Sequence, residues 1–244
     1  MAKKLIITEK PSVAMEFAKA LSINVNRKNG YIESNEWIIT WCVGHLVTMS
    51  YPEKYDENLK FWRLDTLPFI PTEWKYEIIP AVQNQFNIVK QLLQREDVEE
   101  IYNAGDSGRE GEYIQRLVFM MAKPNPKAKM KRVWIDSQTE EEIKRGIKEA
   151  KDLSEYDSLS DAAYLRAKED YLIGINFSRL LSIIFGRRIA KQIDEEKVSI
   201  SVGRVMTCVL GMVVSREREI ANFVKTTYHK IIGEFGDTDS SFKA

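Results

Sequence analysis

Short apolar runs alternate with amphipathic segments along the first part of the chain. Leu5–Thr8 has the character of a buried strand, and the residues after Pro11 keep a helical period, with Ser12 predicted as the N-cap. The same strand-then-helix order recurs from Val98 onward. Because strands and helices alternate as far as Lys151, the pattern predicts an α/β domain with a mainly parallel sheet covered by helices.

Shorter signals predict the other elements of this domain. Runs of β-branched and aromatic residues predict further strands, the first two forming a hairpin, at residues 31–33, 37–43, 76–80 and 133–135. Thr139 and Glu142 form a capping box that predicts the start of a helix. Residues 51–71 are rich in proline, aromatic and charged residues without a period, so we expect a long irregular connection there.

The pattern of apolar residues changes near Asp152, and the segment that follows has no strand signals. Periodic apolar residues predict one helix around residues 159–172, a second from Asn176 to Phe185, a polar loop to Lys197 and a third helix ending near Ile220. Residues 224–235 are extended in pattern and have no further strand to pair with, so we expect a sequence that has been cut short. The predicted organisation is therefore an α/β domain, a small all-α domain and the start of a third domain, at residues 1–152, 153–222 and 223–244.

Composition is that of an ordinary globular protein, with 44% hydrophobic and 30% charged residues. Its 36 basic and 36 acidic side chains cancel, so a nucleic-acid partner would need a local basic groove. The two cysteines and two histidines form no disulfide framework or zinc signature. No signal peptide and no apolar run of membrane-spanning length is present, so we expect a soluble, cytoplasmic protein. The sequence leaves the oligomeric state open.

The most informative stretch runs from Asp106 to Glu112 and reads Asp-Ser-Gly-Arg-Glu-Gly-Glu. It follows a predicted strand, and ligands of open α/β sheets collect at the carboxyl ends of strands. Carboxylates gathered there repel one another unless a cation lies between them, and oxygen ligands suit Mg²⁺. Glu9 follows the first strand and is expected at the same crevice. The alternative is an acidic helix N-terminus that only favours the helix dipole, and the stretch alone leaves both interpretations open.

Four motifs together resemble one family. They are Leu5–Ser12, Val43–Leu46, Asp106–Glu112 and Ser201–Val205. In this order they are similar to the type IA DNA topoisomerases, most closely to the topoisomerase III group. The resemblance implies a Rossmann-like TOPRIM domain followed by a helical domain that holds single-stranded DNA. It also implies ATP-independent cleavage and religation of one strand through a phosphotyrosine, in a nucleoid-associated protein.

The resemblance assigns roles to individual residues. It implies Mg²⁺ ligands at Glu9, Asp106 and Glu110, with Lys10 beside the scissile phosphate. The residues that it implies at the DNA are His45, Arg166, Asp170, Arg179, Ser201, Gly203 and Arg204. The chemistry of the residues alone also fits a structural turn at His45.

Three departures from the family pattern bear on these assignments. The usual Asp-x-Asp pair is here Asp106-Ser107-Gly108, so one metal ligand is missing. Met206 and Cys208 stand where the family commonly has Gln and Pro. The nucleophilic tyrosine is not recognised in this chain, which predicts that the chain alone is inactive.

Two alternatives from other classes remain open. A TOPRIM nuclease or primase would use the same carboxylates to activate water or a hydroxyl. A non-catalytic DNA-binding module would keep the acidic turn without its chemistry.

Overall fold

The computed structural model describes residues 2–23, 27–236 and 240–243. The strands are β1 (Lys3–Thr8), β2 (Arg27–Lys28), β3 (Tyr31–Glu33), β4 (Trp37–Trp41), β5 (Val47–Met49), β6 (Tyr76–Ile78), β7 (Val98–Ala104), β8 (Lys129–Arg132), β9 (Lys151–Asp152), β10 (Glu234–Gly236) and β11 (Ser241–Lys243). The α-helices are α1 (Pro11–Ala20), α2 (Gln83–Leu93), α3 (Arg109–Ala122), α4 (Glu140–Lys148), α5 (Asp157–Gln192) and α6 (Arg204–Ala221).

The chain divides into two compact units, the first ending at Ser201 and the second beginning at Val202. The first contains a seven-stranded sheet in the order β2-β3-β4-β1-β7-β8-β9. Strands β4, β1, β7 and β8 are parallel to one another, while β2, β3 and β9 join the edges in antiparallel pairing. The predicted fold class, a mainly parallel sheet with helices and a following helical region, is confirmed.

Helices cover both faces of this sheet because alternate side chains of its central strands point to opposite sides. Ile6 of β1 packs with Phe17 of α1 and Ile143 of α4 on one face. Leu5 and Ile7 pack on the other face, in a cluster that includes residues of α2, α3 and the first turns of α5. The carboxyl edge of the parallel strands therefore lies between two helical layers.

Several predicted boundaries were wrong in detail. Helix α1 begins at Pro11 with Lys10 at the N-cap position, so Ser12 is the second helical residue and caps nothing. The strand predicted at 133–135 lies one segment earlier, at Lys129–Arg132, because the chain leaves the sheet after the Val133 amide donates to the Asn103 carbonyl. The hairpin of β3 and β4 and the Thr139 N-cap were predicted correctly.

The two helices predicted between residues 159 and 185 are one helix of 36 residues, α5, which also includes most of the predicted loop after Gly186. The connection at 51–71 is more ordered than expected, with 3₁₀ turns at Pro52–Lys54, Glu57–Lys60 and Leu64–Thr66. Its backbone is held by side chains of α5, so tertiary contacts replace a local period.

The second unit contains α6, as the apolar spacing predicted, and the antiparallel pair of β10 and β11. Most of the strand predicted at 224–235 has no strand geometry, and the part that does pairs with β11. The expectation that it lacks a partner was therefore wrong. The predicted domain boundaries at residues 152 and 222 stay predictions. Within the described ranges, no helix has both the length and the apolar character needed to cross a membrane.

Candidate active site

The site is built where β1 and β7 end side by side. These strands are parallel neighbours, and their last residues, Thr8 and Ala104, are paired in the sheet. Glu9 follows the first of them directly, and Asp106 follows the second after one glycine. Two separate segments of the chain thus bring carboxylates to one edge of the sheet.

Lys10 lies between these two carboxylates. Its Nζ is 3.3 Å from Glu9 Oε1 and 3.2 Å from Asp106 Oδ2. The hydrogen bond to Asp106, followed by that to Glu9, raises the pKa of the Lys10 ammonium. The Glu9 side chain is 11% exposed, whereas the Lys10 and Asp106 side chains are about half exposed. A mostly buried carboxylate, an ammonium and an accessible carboxylate therefore form a row that opens to solvent.

Two glycines allow the acidic turn to fold tightly onto the start of α3. A Cβ on Gly111 would come within 2.7 Å of the Asp106 backbone nitrogen, and one on Gly105 would come within 2.9 Å of the Gly111 carbonyl. Backbone atoms cannot move away as a flexible side chain can. The glycine spacing of the motif therefore fixes the position of Asp106.

A buried arginine, which the sequence did not suggest, holds the backbone of the acidic turn between β7 and α3. Arg132 of β8 is fully buried and donates to the backbone oxygens of Gly105 (2.7 Å) and Asp106 (2.8 Å). Its Nε is 2.9 Å from Oε2 of Glu112, which is also fully buried. Burial lowers the pKa of Arg132 against the opposing effect of Glu112. The one sequence signal that could have indicated this ion pair is the charged residue Arg132, which stands directly before a predicted strand.

Glu110, the third predicted metal ligand, points to a different partner. Its Oε1 is 2.7 Å from Nε2 of His45, which follows Gly44, a glycine with a φ of +81°. Both residues line a pocket of about 260 Å³ that also includes Arg166 and Asp170 of α5. We call it the His45 pocket. It brings together three of the residues predicted at the DNA.

The other predicted DNA residues lie elsewhere. Arg179 is 3% exposed and donates to the Leu59 carbonyl at 2.7 Å, so it holds the 51–71 connection. Its role at the DNA stays a prediction. Ser201 ends the first unit. In the second unit, Gly203 is the N-cap of α6 and Arg204 is its first residue.

The donor set at the strand ends fits a hard divalent cation. Two carboxylate oxygens lie within 3.3 Å of one positive nitrogen, so this position already favours a cation. Among the described residues, however, no three carboxylate, histidine or cysteine side chains converge closely enough to hold a metal. Glu110 would have to leave His45 to complete the predicted set.

Family comparison identifies the first part of the chain. A family model described as Toprim domain matches residues 4–137, more than half of the sequence. The chain belongs to the Toprim family. A second model, described as DNA topoisomerase, matches residues 154–244. In this Toprim chain the strand ends with Glu9 and Asp106 fall inside the first match, and helices α5 and α6 both fall entirely inside the second.

Curated relatives agree with this assignment. The chain is 40% identical over 237 residues to DNA topoisomerase 3 of Shouchella clausii, covering 97% of this chain and 31% of the relative. It is 41% identical over 229 residues to DNA topoisomerase 3 of Staphylococcus aureus, covering 94% of this chain and 30% of the relative. The resemblance to the type IA topoisomerases of the topoisomerase III group is confirmed. The Toprim chain spans about a third of the length of these relatives.

Proposed function

We propose that this chain is the Mg²⁺-binding and DNA-binding part of a type IA DNA topoisomerase of the topoisomerase III group. The observation that carries the proposal is Lys10, held between Glu9 and Asp106 where the two parallel strands end. The relatives named DNA topoisomerase 3 support the reaction class. In the whole protein the reaction is cleavage and religation of one DNA strand through a phosphotyrosine, without ATP. We place the nucleophilic tyrosine outside this chain, since the relatives are about three times as long.

The residues at the strand ends have separate tasks in this reaction. Lys10 carries its positive charge to an oxygen of the scissile phosphodiester and holds the cut end in position. Glu9 exchanges a proton with the 3′ oxygen that leaves and returns. When bound by Glu9, Asp106 and Glu110, Mg²⁺ supplies positive charge that stabilises the charge developing on the phosphate. Glu110 would have to give up its hydrogen bond to His45 to join this ligand set.

In this proposal single-stranded DNA contacts residues in each of the two units. His45, Arg166 and Asp170 line one pocket, where Arg166 can pair with a phosphate and Asp170 can accept from a base. Ser201, Gly203 and Arg204 remain proposed DNA contacts, because backbone amides at a helix N-terminus and an arginine both favour phosphate. The cytoplasmic, nucleoid-associated location belongs to the same proposal.

Magnesium titration of an Asp106→Asn variant tests the metal part. Because the affinity of an oxygen site depends on its number of charged ligands, we expect about tenfold weaker Mg²⁺ binding by isothermal titration calorimetry. Glu99→Gln is the matched control, since Glu99 is an exposed carboxylate near the opposite end of the same strand, β7. An Asp106→Asn titration identical to the wild type would remove Asp106 from the metal site.

Incubation with negatively supercoiled plasmid and Mg²⁺ tests the reaction class. The proposal expects no relaxation and no covalent adduct from this chain alone, together with binding of single-stranded oligonucleotides. Relaxation would contradict the placement of the tyrosine. Mg²⁺-dependent nicking without religation would favour the nuclease alternative. Single-strand binding that does not depend on Mg²⁺, together with no Mg²⁺ binding detected by calorimetry, would favour the non-catalytic DNA-binding module.

A further inference from the structure

A second pocket opens at the same edge of the sheet, on the face opposite to the His45 pocket. It measures about 370 Å³ and is lined by Val13 and Phe17 of α1, by Asp106 and Ser107 of the acidic turn, and by residues 135–138 after β8. We call it the Asp136 pocket. Helices α1 and α4 pack on this face of the sheet, whereas α3 and α5 pack on the other.

The side of this pocket formed by residues 135–138 is firmly anchored. The Ser107 hydroxyl donates to the Ile135 carbonyl, which ties the acidic turn to this segment. Thr139 then caps α4 by accepting from the Glu142 amide. Ile135 also packs closely over Gly146 of α4, where no side chain would fit. The pocket is therefore a built feature of the sheet edge and not a gap beside a loose loop.

The lining determines which chemical group fits. Val13, Phe17 and Ala104 supply an apolar floor, and the carboxylates of Asp106 and Asp136 lie at the rim with the Gln138 amide. Asp136 is an exposed carboxylate and the Asp106 carboxylate is already paired with Lys10, so the lining of the pocket offers no cation to an anionic part of DNA. A planar, neutral group with amino hydrogens is favoured, because its face packs on the apolar floor and its amino group donates to a carboxylate. A nucleobase has both properties.

The position of the pocket relates it to the reacting centre. Asp106 lines the Asp136 pocket and also accepts from Lys10, while Glu110, in the first turn of α3, lines the His45 pocket. A DNA strand that runs from one pocket to the other therefore crosses the carboxyl edge of the sheet at Lys10. The base on the α1 side of that crossing comes next to the Asp136 pocket.

We propose that the Asp136 pocket binds one unstacked base of the DNA strand beside the phosphodiester that Lys10 contacts, and that it prefers a base with an exocyclic amino group over thymine. This inference rests on the proposed function, because it requires single-stranded DNA at Lys10. It adds a base-reading subsite to a contact that is otherwise made with the backbone. The amino group donates to Asp136, and thymine offers only a carbonyl at the corresponding position.

The test compares a short oligo-dT with the same oligonucleotide carrying one dC at each position in turn, by fluorescence anisotropy. We expect one position at which dC tightens binding about tenfold, the lower end of the scale for one hydrogen bond to a charged acceptor. Ser137→Trp fills the pocket from an exposed lining position, and Asp136→Ala removes the acceptor. Both variants should abolish the dC preference, so that the dC and dT oligonucleotides bind equally at every position.

Ser137→Ala and Glu141→Gln are the controls, the first at the same position and the second at an exposed site on α4 outside the pocket. Both should keep the dC preference. Equal binding of dC and dT oligonucleotides at every position overturns the inference and leaves the proposed function intact. A preference that survives Ser137→Trp also overturns it, since the base is then read elsewhere. Failure of every oligonucleotide to bind would instead overturn the proposed DNA-binding function.

Discussion

Cationic side chains around a single carboxylate keep that carboxylate ionised in this protein. Glu33 of β3 is the clearest case outside the active site, with Lys3 Nζ at 2.7 Å, Lys28 Nζ at 2.9 Å and Arg95 Nη1 at 3.0 Å. Burial opposes ionisation of Glu33, but the hydrogen bonds from Lys3 and Lys28 and the charge of Arg95 outweigh it and lower the pKa to about 2. Glu33 thus stabilises the edge of the sheet as an anion.

Glu33→Gln should lower the free energy of unfolding by about 2 kcal/mol near neutral pH, because it removes this charge from three cations. The depressed pKa gives a stabilisation that is complete above the unfolded pKa of 4.5 and is lost as the pH falls towards 2. Urea denaturation of the wild type and the variant should therefore converge at acidic pH. A difference that stays constant with pH, or one matched by the exposed control Glu57→Gln, would contradict this role.

The part of the candidate site that could be predicted from the sequence is the part carried by residues next to a recognisable strand. Glu9 and Asp106 could be assigned to one edge because each follows an apolar strand, and the parallel pairing of β1 with β7 brings Lys10 to both. The Arg132–Glu112 pair was not predictable, because the two residues are distant in sequence and neither belongs to an apolar pattern. The hydrogen bond between His45 and Glu110 likewise depends on tertiary placement.

At the scale of elements, the connection between β7 and α3 depends on β8. Arg132 reaches from β8 to backbone oxygens of the turn while Glu112 of α3 neutralises its charge. When both members of an ion pair are buried, removing one of them leaves the other as an uncompensated buried charge, which destabilises the fold. The pair therefore couples the position of Asp106 to the packing of two separate elements.

Glu112→Gln should lower the free energy of unfolding by about 3 kcal/mol, since it leaves the Arg132 guanidinium buried without a counter-charge. Chemical denaturation measures the loss, and the exposed α4 variant Glu141→Gln is the control, with almost no change expected. We also expect Mg²⁺ affinity to fall in folded Glu112→Gln, because the turn that carries Asp106 loses support. Wild-type stability would mean that the turn does not depend on this ion pair.

At the scale of the whole first unit, α5 organises a segment that looks structureless in the sequence. The Tyr171 hydroxyl donates to the Ser50 carbonyl at 2.8 Å, and Arg179 reaches the Leu59 carbonyl. The Asn176 amide accepts from the Phe69 N–H at 2.6 Å and donates to the Phe69 carbonyl at 2.8 Å. Periodicity could not predict this arrangement, because polar side chains spaced along one helix replace an apolar pattern in residues 51–71.

Asn176→Ala should therefore loosen the connection more than it unfolds the sheet. It leaves the backbone N–H and carbonyl of Phe69 without their partners, which we expect to cost about 2 kcal/mol. Limited proteolysis followed by mass spectrometry should show faster cleavage within residues 51–71, with the cleavage pattern of the β1–β7 region unchanged. Asn87→Ala, which removes an exposed asparagine of α2, is the control and should behave as the wild type. Equal cleavage rates in Asn176→Ala and the control would mean that the 3₁₀ turns hold the connection by themselves and that α5 only lies beside it.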